Sequence, residues 1–310
     1  MKVSKKKLNV VLDIGKTNVK LIFLKNDKIV KEYKTKQQNG IYKNSIKTLK
    51  SGKIVIWLIE KLKKESTKNI LENFVCTTHG CSLAFIGYDN KEIIACTDYE
   101  YSFDKYKKEF LKVEPKFSIS FTPLLEGGLN TGLQIFYFSK KFPTVLKKTK
   151  YILSYPQYIA WKLSKTYSTE ITYIGCHSYL WDFKKNKYSQ LTKKLSVENK
   201  FPPMKKAWDV IGGFKLNNKK INILNGVHDS NASYLYFLKS NLKSFTLVST
   251  GTWYITLNQQ TNIKKLKPNY DMLCGINVFG KSVPTMRFMG GREYELLYKK
   301  LKVSSSHFKI

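Results

Sequence analysis

The chain has 310 residues, 42% of them hydrophobic and 14% aromatic, which is enough to build one large or two ordinary cored domains and excludes global disorder. No apolar stretch reaches membrane-spanning length. The basic start "MKVSKKKLNVVLDIG" has its apolar run cut short by Asp13, so no membrane partner and no secretory leader are expected and a cytoplasmic protein is. The formal net charge of +33 invites a nucleic-acid reading, but Arg287 and Arg292 are the only arginines among 55 basic residues and the lysines run from end to end, so we read a solvated lysine surface without a specific nucleic-acid partner.

In chain order, "VVLDIGKTNVKLIFL" (10–24) is two apolar, β-branched arms around a short polar centre, which predicts a hairpin turning at Gly15. Asn26-Asp27 predicts a second turn, and residues 28–34 a third strand. Residues 53–72 carry Ile56, Ile59 and Leu62 at helical spacing, with a break around Ser66-Thr67. "NFVCTTHG" reads as a buried strand ending at His79-Gly80, and the next segment as a hairpin about Asp89-Asn90. From about 102 the chain turns helical and looped. "LLEGGLNTGLQIFYFSKKFP" is a loop followed by a helix, and "LSYPQYIAWKLSK" a helix with Pro156 near its first turn. Residues 184–222 read as short excursions between elements, and "INILNGVHDSNASYLYFL" as strand, sharp turn and helix. "SFTLVSTGTWYITLN" (244–258) then repeats the opening pattern of strand, Gly-Thr turn and strand, a sign of duplicated architecture. Two such turns facing one another would cradle a polyphosphate, because glycine lets backbone amides approach the anion.

The five cysteines (Cys76, Cys81, Cys96, Cys176, Cys274) are scattered without a CxxC, which argues against a disulfide framework and against a zinc site, and for buried free thiols.

With both turns in hand, the ordered motifs "LDIGKTNVKL", "TTHG", "GLNTGLQIFYF", "YPQYIAWKLS", "EITYIGCHSYLWD", "GVHDSNAS", "STGTW" and "VPTMRFMGGREYE" resemble the FGGY family of carbohydrate kinases from residue 8 to about 298. The resemblance implies an α/β, ribonuclease H-like (actin-like ATPase) fold with a duplicated, two-lobed architecture. Residues 1–240 would form the N-terminal lobe and 241–310 the start of the C-terminal one. It implies ATP and Mg²⁺ as cofactors and phosphorylation of a hydroxyl on a small sugar, a ketose or deoxyketose such as rhamnulose or fuculose. Carried over by position, Asp13 serves the metal and the phosphates, and Gly15, Lys16, Thr17 and Asn18 form the first phosphate turn. Gly251 and Thr252 form the second. Asp229 is the catalytic base, and His79, Gly80 and His228 join it as sugar-binding residues.

Each assignment has a plainer alternative. Asp229 can be the N-cap of the helix that follows, His79 and His177 ordinary partly buried histidines, and Lys16 one surface lysine among many. Trp161, Trp181 and Trp253 read most simply as packing residues. The sequence also departs from the family pattern. Lys16 stands between Gly15 and Thr17 where the family has DxGT, and the chain stops before a late glycine-rich motif that would hold adenine. The second lobe is therefore expected to be incomplete, with a separately encoded C-terminal fragment or a homo-oligomer as expected partners. The alternative reading is an inactive remnant or a sugar-binding module.

Overall fold

Alternation decides the first strands. In Lys7–Ile14 (β1), Leu8, Val10, Leu12 and Ile14 are buried in the core, which turns Asp13 to the opposite face of the sheet. The computed structural model describes residues 5–38, 40–43, 45–250 and 253–301. In it, β1 runs antiparallel into Asn18–Lys25 (β2), and β2 into Lys28–Lys36 (β3). Asn26 and Asp27 close the second turn with φ of 47° and 62°, the left-handed pair that a tight two-residue hairpin requires.

Ser51–Ser66 (α1) packs Ile54, Val55, Leu58 and Leu62 against this sheet. Ile56, expected on the buried stripe, lies two residues from Ile54 on the far side of the helix and is 61% exposed. Ile70–Thr78 (β4) then lies parallel to β1. Leu83–Gly87 (β5) and Glu92–Ile94 (β6) form the hairpin around Asn90. After Thr131–Lys141 (α2), Thr149–Ser154 (β7) joins β5 antiparallel. Tyr155–Ser164 (α3), with Pro156 in its first turn, packs on the core beneath β4.

The reading of 184–222 as short excursions needs correction. Val210–Leu216 (β8) and Lys219–Leu224 (β9) form a regular hairpin, and β9 joins the main sheet parallel to β4. Gly212 sits inside a strand because Ser164 leaves no room for a side chain, a Cβ there falling 2.8 Å from the Ser164 Cβ. The turn is Asn217-Asn218, with φ of 48° and 60°. Val227–His228 (β10) pairs with the end of β4, and Asp229–Leu238 (α4) follows at once.

The main sheet thus has the order β8-β9-β4-β1-β2-β3, with β10 also on β4. An antiparallel meander continued by strands parallel to β1 is the ribonuclease H-like arrangement. A second, wholly antiparallel sheet holds Leu247–Ser249 (β11), Tyr254–Leu257 (β12), Met272–Ile276 (β13) and Ser282–Phe288 (β14), in the order β11-β12-β14-β13. Gly290–Leu301 (α5) follows it. The second sheet is joined to the rest of the chain by packing of Leu257 and Val283 on Tyr234 of α4, and by two close backbone approaches. The Cys274 amide donates to the Phe121 carbonyl at 2.9 Å, and Ile276 packs so tightly on Gly175 that a Cβ there would lie 2.6 Å from its Cγ1. All five cysteines are free, and no helix among the described residues is long and apolar enough to cross a membrane.

Candidate active site

The residues around 226–229 are fixed from behind. Gly226 has φ +86°, and a Cβ on it would stand 2.6 Å from the Cys76 carbonyl oxygen, so only glycine fits this bend. Asn225, fully buried, accepts from the Ser168 hydroxyl at 2.7 Å and donates to the Thr169 and Lys205 carbonyls at 3.1 and 2.9 Å. The His228 amide donates to the Thr172 hydroxyl oxygen at 3.2 Å, and that hydroxyl donates to the buried Glu170 carboxyl, which burial pushes up to about 8.

Asp229 emerges from this frame in the first turn of α4. His228 occupies the capping position, so Asp229 is not the cap. Its Oδ1 accepts from the Ser230 amide at 2.6 Å and lies 3.3 Å from His228 Nε2. Burial raises its pKa, while the neighbouring His79 and the Ser230 hydrogen bonds act in the opposite direction. The side chain is still 37% exposed, because it opens onto a cleft.

His79 ends β4. Its amide donates to the Ile14 carbonyl at 2.9 Å, and its Nδ1–H donates to the Gly80 carbonyl at 2.9 Å. That tautomer leaves Nε2 as a buried acceptor with no partner among the described residues. Gly80 is required for close approach, since a Cβ there would lie 2.9 Å from His228 Nε2. Burial lowers the pKa of His79, and takes His177 and His228 down to about 4, so all three rings are neutral near pH 7. Cys81 and His177 both adopt left-handed backbone (φ 65° and 33°) on this wall, a strained conformation that clusters at functional sites.

These residues line one cleft of about 230 Å³, closed on its other side by the second sheet through Trp253, Ile276 and Arg287. Asp229 is the only carboxylate among its described lining residues. Asp13 feels the Asp229 charge: its pKa is raised first by burial and then by that charge, with Lys20 opposing. The Gly15 amide closes the first turn on the Asn18 carbonyl at 2.9 Å, with Thr17 and Asn18 exposed. Lys16 does not project freely from that turn. Its ammonium is bound by Asp98, lies 3.3 Å from Glu100 and sits 4.5 Å above the Tyr99 ring. Gly251 and Thr252 lie outside the described residues. The structure therefore brings His79, Gly80, His228 and Asp229 together in the cleft, leaves Asp13 outside its lining and turns Lys16 towards Asp98.

Residues 242–308 match the family described as carbohydrate kinase FGGY, C-terminal domain. A carbohydrate kinase from Novosphingobium aromaticivorans superposes with a TM-score of 0.88 at 27% identity, covering 95% of this chain and 66% of that one. The chain is thus similar to FGGY carbohydrate kinases, in sequence over residues 242–308 and in fold over nearly its whole length. Two further solved structures share its fold. Plasmodium falciparum glycerol kinase with ADP has a TM-score of 0.79 at 14% identity, with 98% of this chain and 66% of that one covered. A ligand-bound xylulose kinase from Lactobacillus acidophilus has a TM-score of 0.73 at 14% identity, with 90% and 59% covered. The chain thus spans 59 to 66% of the length of these three structures. No curated protein matches it in sequence.

Several lining residues of the cleft escape a reading of the sequence. Tyr99 and Cys81 carry no motif of their own, and Cys176 lies in "EITYIGCHSYLWD" with no role attached to it. His177 reads as structural, yet it lines the cleft beside Cys81, at 3.6 Å from its sulfur. Arg287 lies in "VPTMRFMGGREYE" and is one of two arginines in a chain whose other cations are lysines.

Proposed function

We propose that the protein transfers the terminal phosphoryl group of ATP to a hydroxyl of a small sugar, a ketose or deoxyketose, with Asp229 as general base. The observation that carries this reading is Asp229 itself, the only carboxylate among the described lining residues of the cleft, with a pKa raised by burial. A carboxylate of raised pKa is a better proton acceptor, and phosphoryl transfer otherwise needs mainly orientation and charge neutralisation. In the reaction, Asp229 takes the hydroxyl proton, the sugar oxygen forms its bond to the terminal phosphorus, and the bond from that phosphorus to the ADP oxygen breaks. His79 Nε2 accepts a second sugar hydroxyl and holds the substrate against Asp229. The turns 15–18 and 251–252 take the phosphates from either side, the first lobe ending near residue 240.

The donor set suits Mg²⁺, which keeps most of its waters and takes one or two carboxylates together with phosphate oxygens. Asp13, feeling the charge of a second carboxylate and pushed up by it, gains from a neighbouring cation. No group of three or more His, Cys, Asp or Glu residues that could cage a metal occurs among the described residues, so Asp13 would share the ion with the nucleotide. That ion supplies charge neutralisation on the phosphates.

The test is ADP release by the purified protein over a panel of ketoses. Turnover requires a sugar, and Asp229→Asn lowers kcat by roughly a hundred- to ten-thousand-fold. Turnover that ignores the sugar, or an Asp229→Asn protein of undiminished rate, overturns the reading. Sugar binding without turnover favours a sugar-binding module.

A further inference from the structure

The cleft has a donor that the proposed chemistry does not use. Arg287 stands on β14 opposite Ile255 of β12, with its guanidinium 4.8 Å from the centre of the Trp253 ring. One nitrogen, Nη2, pairs with Asp271 at 3.0 Å, and the Arg287 side chain is only 15% exposed. Its Nε is fully buried and has no hydrogen-bond partner among the described residues. A buried donor left unpaired is costly, and in a substrate cleft it marks a place where the ligand supplies the partner.

Polarity narrows that partner. The Asp229 carboxylate and His79 Nε2 are acceptors and call for hydroxyl hydrogens. Arg287 calls for an oxygen that accepts. Because Asp271 already balances its charge, a single neutral acceptor satisfies the buried Nε–H, and a second anion is not needed. A ketose offers this pattern, with hydroxyl donors along its chain and one carbonyl oxygen that only accepts.

We propose that Arg287 is the specificity-determining residue of the cleft, its Nε–H donating to the carbonyl oxygen of a ketose and so selecting the ketose over the corresponding alditol. This rests on the sugar-kinase reading and adds the group that reads the substrate. The planar fork matters here, because a lysine on the same strand has no N–H at the branch point of its side chain.

The experiment is calorimetric titration of the full chain, without nucleotide, using D-xylulose and L-rhamnulose against xylitol and L-rhamnitol. At least one ketose binds roughly tenfold tighter than its alditol, the scale of one buried hydrogen bond. In Arg287→Met that ratio falls to about one, with alditol affinity changed less than about twofold, since the variant and the alditol remove the same contact. Should Arg287→Met not fold, Arg287→Lys keeps the cation and supplies the same comparison. An unchanged ratio, an equal loss for ketose and alditol, or binding of neither ketose overturns the proposal. So does tighter binding of D-xylonate that disappears in Arg287→Met, which would assign the arginine to a carboxylate. Absence of ATP turnover alongside an intact, Arg287-dependent ratio defeats the kinase reading alone.

Discussion

His228 Nε2 stands 3.3 Å from Asp229 Oδ1, yet the two do not form an ion pair, because burial holds the imidazole down to about 4 and keeps it neutral. The carboxylate is therefore left with the Ser230 amide and hydroxyl as its hydrogen-bond donors, and its negative charge is only partly compensated.

Replacing that charge should stabilise the protein. The Asp229 pKa in the folded state lies above the ordinary carboxylate value of 3.8, so the folded state resists ionisation, and the cost is present once the pH exceeds both values. Asp229→Asn should raise the melting temperature at pH 7 while removing activity. The gain is below about 1 kcal/mol, because the side chain opens onto solvent. It shrinks as the pH falls through the raised folded value and is gone only below 3.8, where the wild-type carboxylate is protonated in both states. Melting curves at pH 7 and pH 4 check this, and an Asn variant less stable at both overturns it.

The neutral histidines set an acid limit on the fold. His177 and His228 titrate near 6.5 when unfolded and near about 4 when folded, so between these values the unfolded chain binds the extra protons. Stability is full above pH 6.5 and is lost as the pH falls towards the folded values. His177→Asn should flatten this slope by up to about one proton. Thermal denaturation from pH 7.5 down to 4.5 reads it directly, and a wild-type profile without a slope refutes the assignment.

Two glycines separate strain from crowding. Gly226 and Gly280 both have left-handed φ, +86° and +76°, but a Cβ at Gly226 would meet the Cys76 carbonyl at 2.6 Å whereas one at Gly280 meets nothing within 4 Å. Gly280→Ala should cost about 1 kcal/mol and Gly226→Ala about 2–4 kcal/mol, the difference being the steric term. Urea unfolding midpoints provide the measurement, with equal shifts as the contrary result.

Local chemistry made much of this molecule legible. The β1–β2 hairpin follows from alternation around Gly15, and the β4 strand from an apolar run ending at His79-Gly80. The β8–β9 hairpin was harder to see because Gly212-Gly213 imitates a turn, while the true turn, Asn217-Asn218, sits inside a lysine-rich run. The faces of α1 were misjudged at Ile56, since an apolar residue can be exposed and spacing alone does not say which stripe the sheet selects.

The cleft divides in the same way. His79, His228 and Asp229 lie on short contiguous segments where a strand ends, so their neighbours in sequence reveal them. Trp253 and Arg287 reach the cleft only through the pairing of β12 with β14, and Cys81 meets His177 across a separation of 96 residues. Nothing local encodes those meetings.

Lys16 gives the first turn a further property. Its ammonium is shared among Asp98, Glu100 and the Tyr99 ring, and Lys47 binds the same Asp98 at 3.2 Å. Any polyanion drawn to the 15–18 turn thus competes with carboxylates from the 98–100 segment for one cation. The two are thermodynamically linked: tightening the hold of Asp98 weakens the turn as an anion site, and an anion that captures Lys16 leaves Asp98 to Lys47 alone. Tyr99 also lines the cleft beside Asp229, so the same exchange ties occupancy of the turn to the shape of the cleft wall.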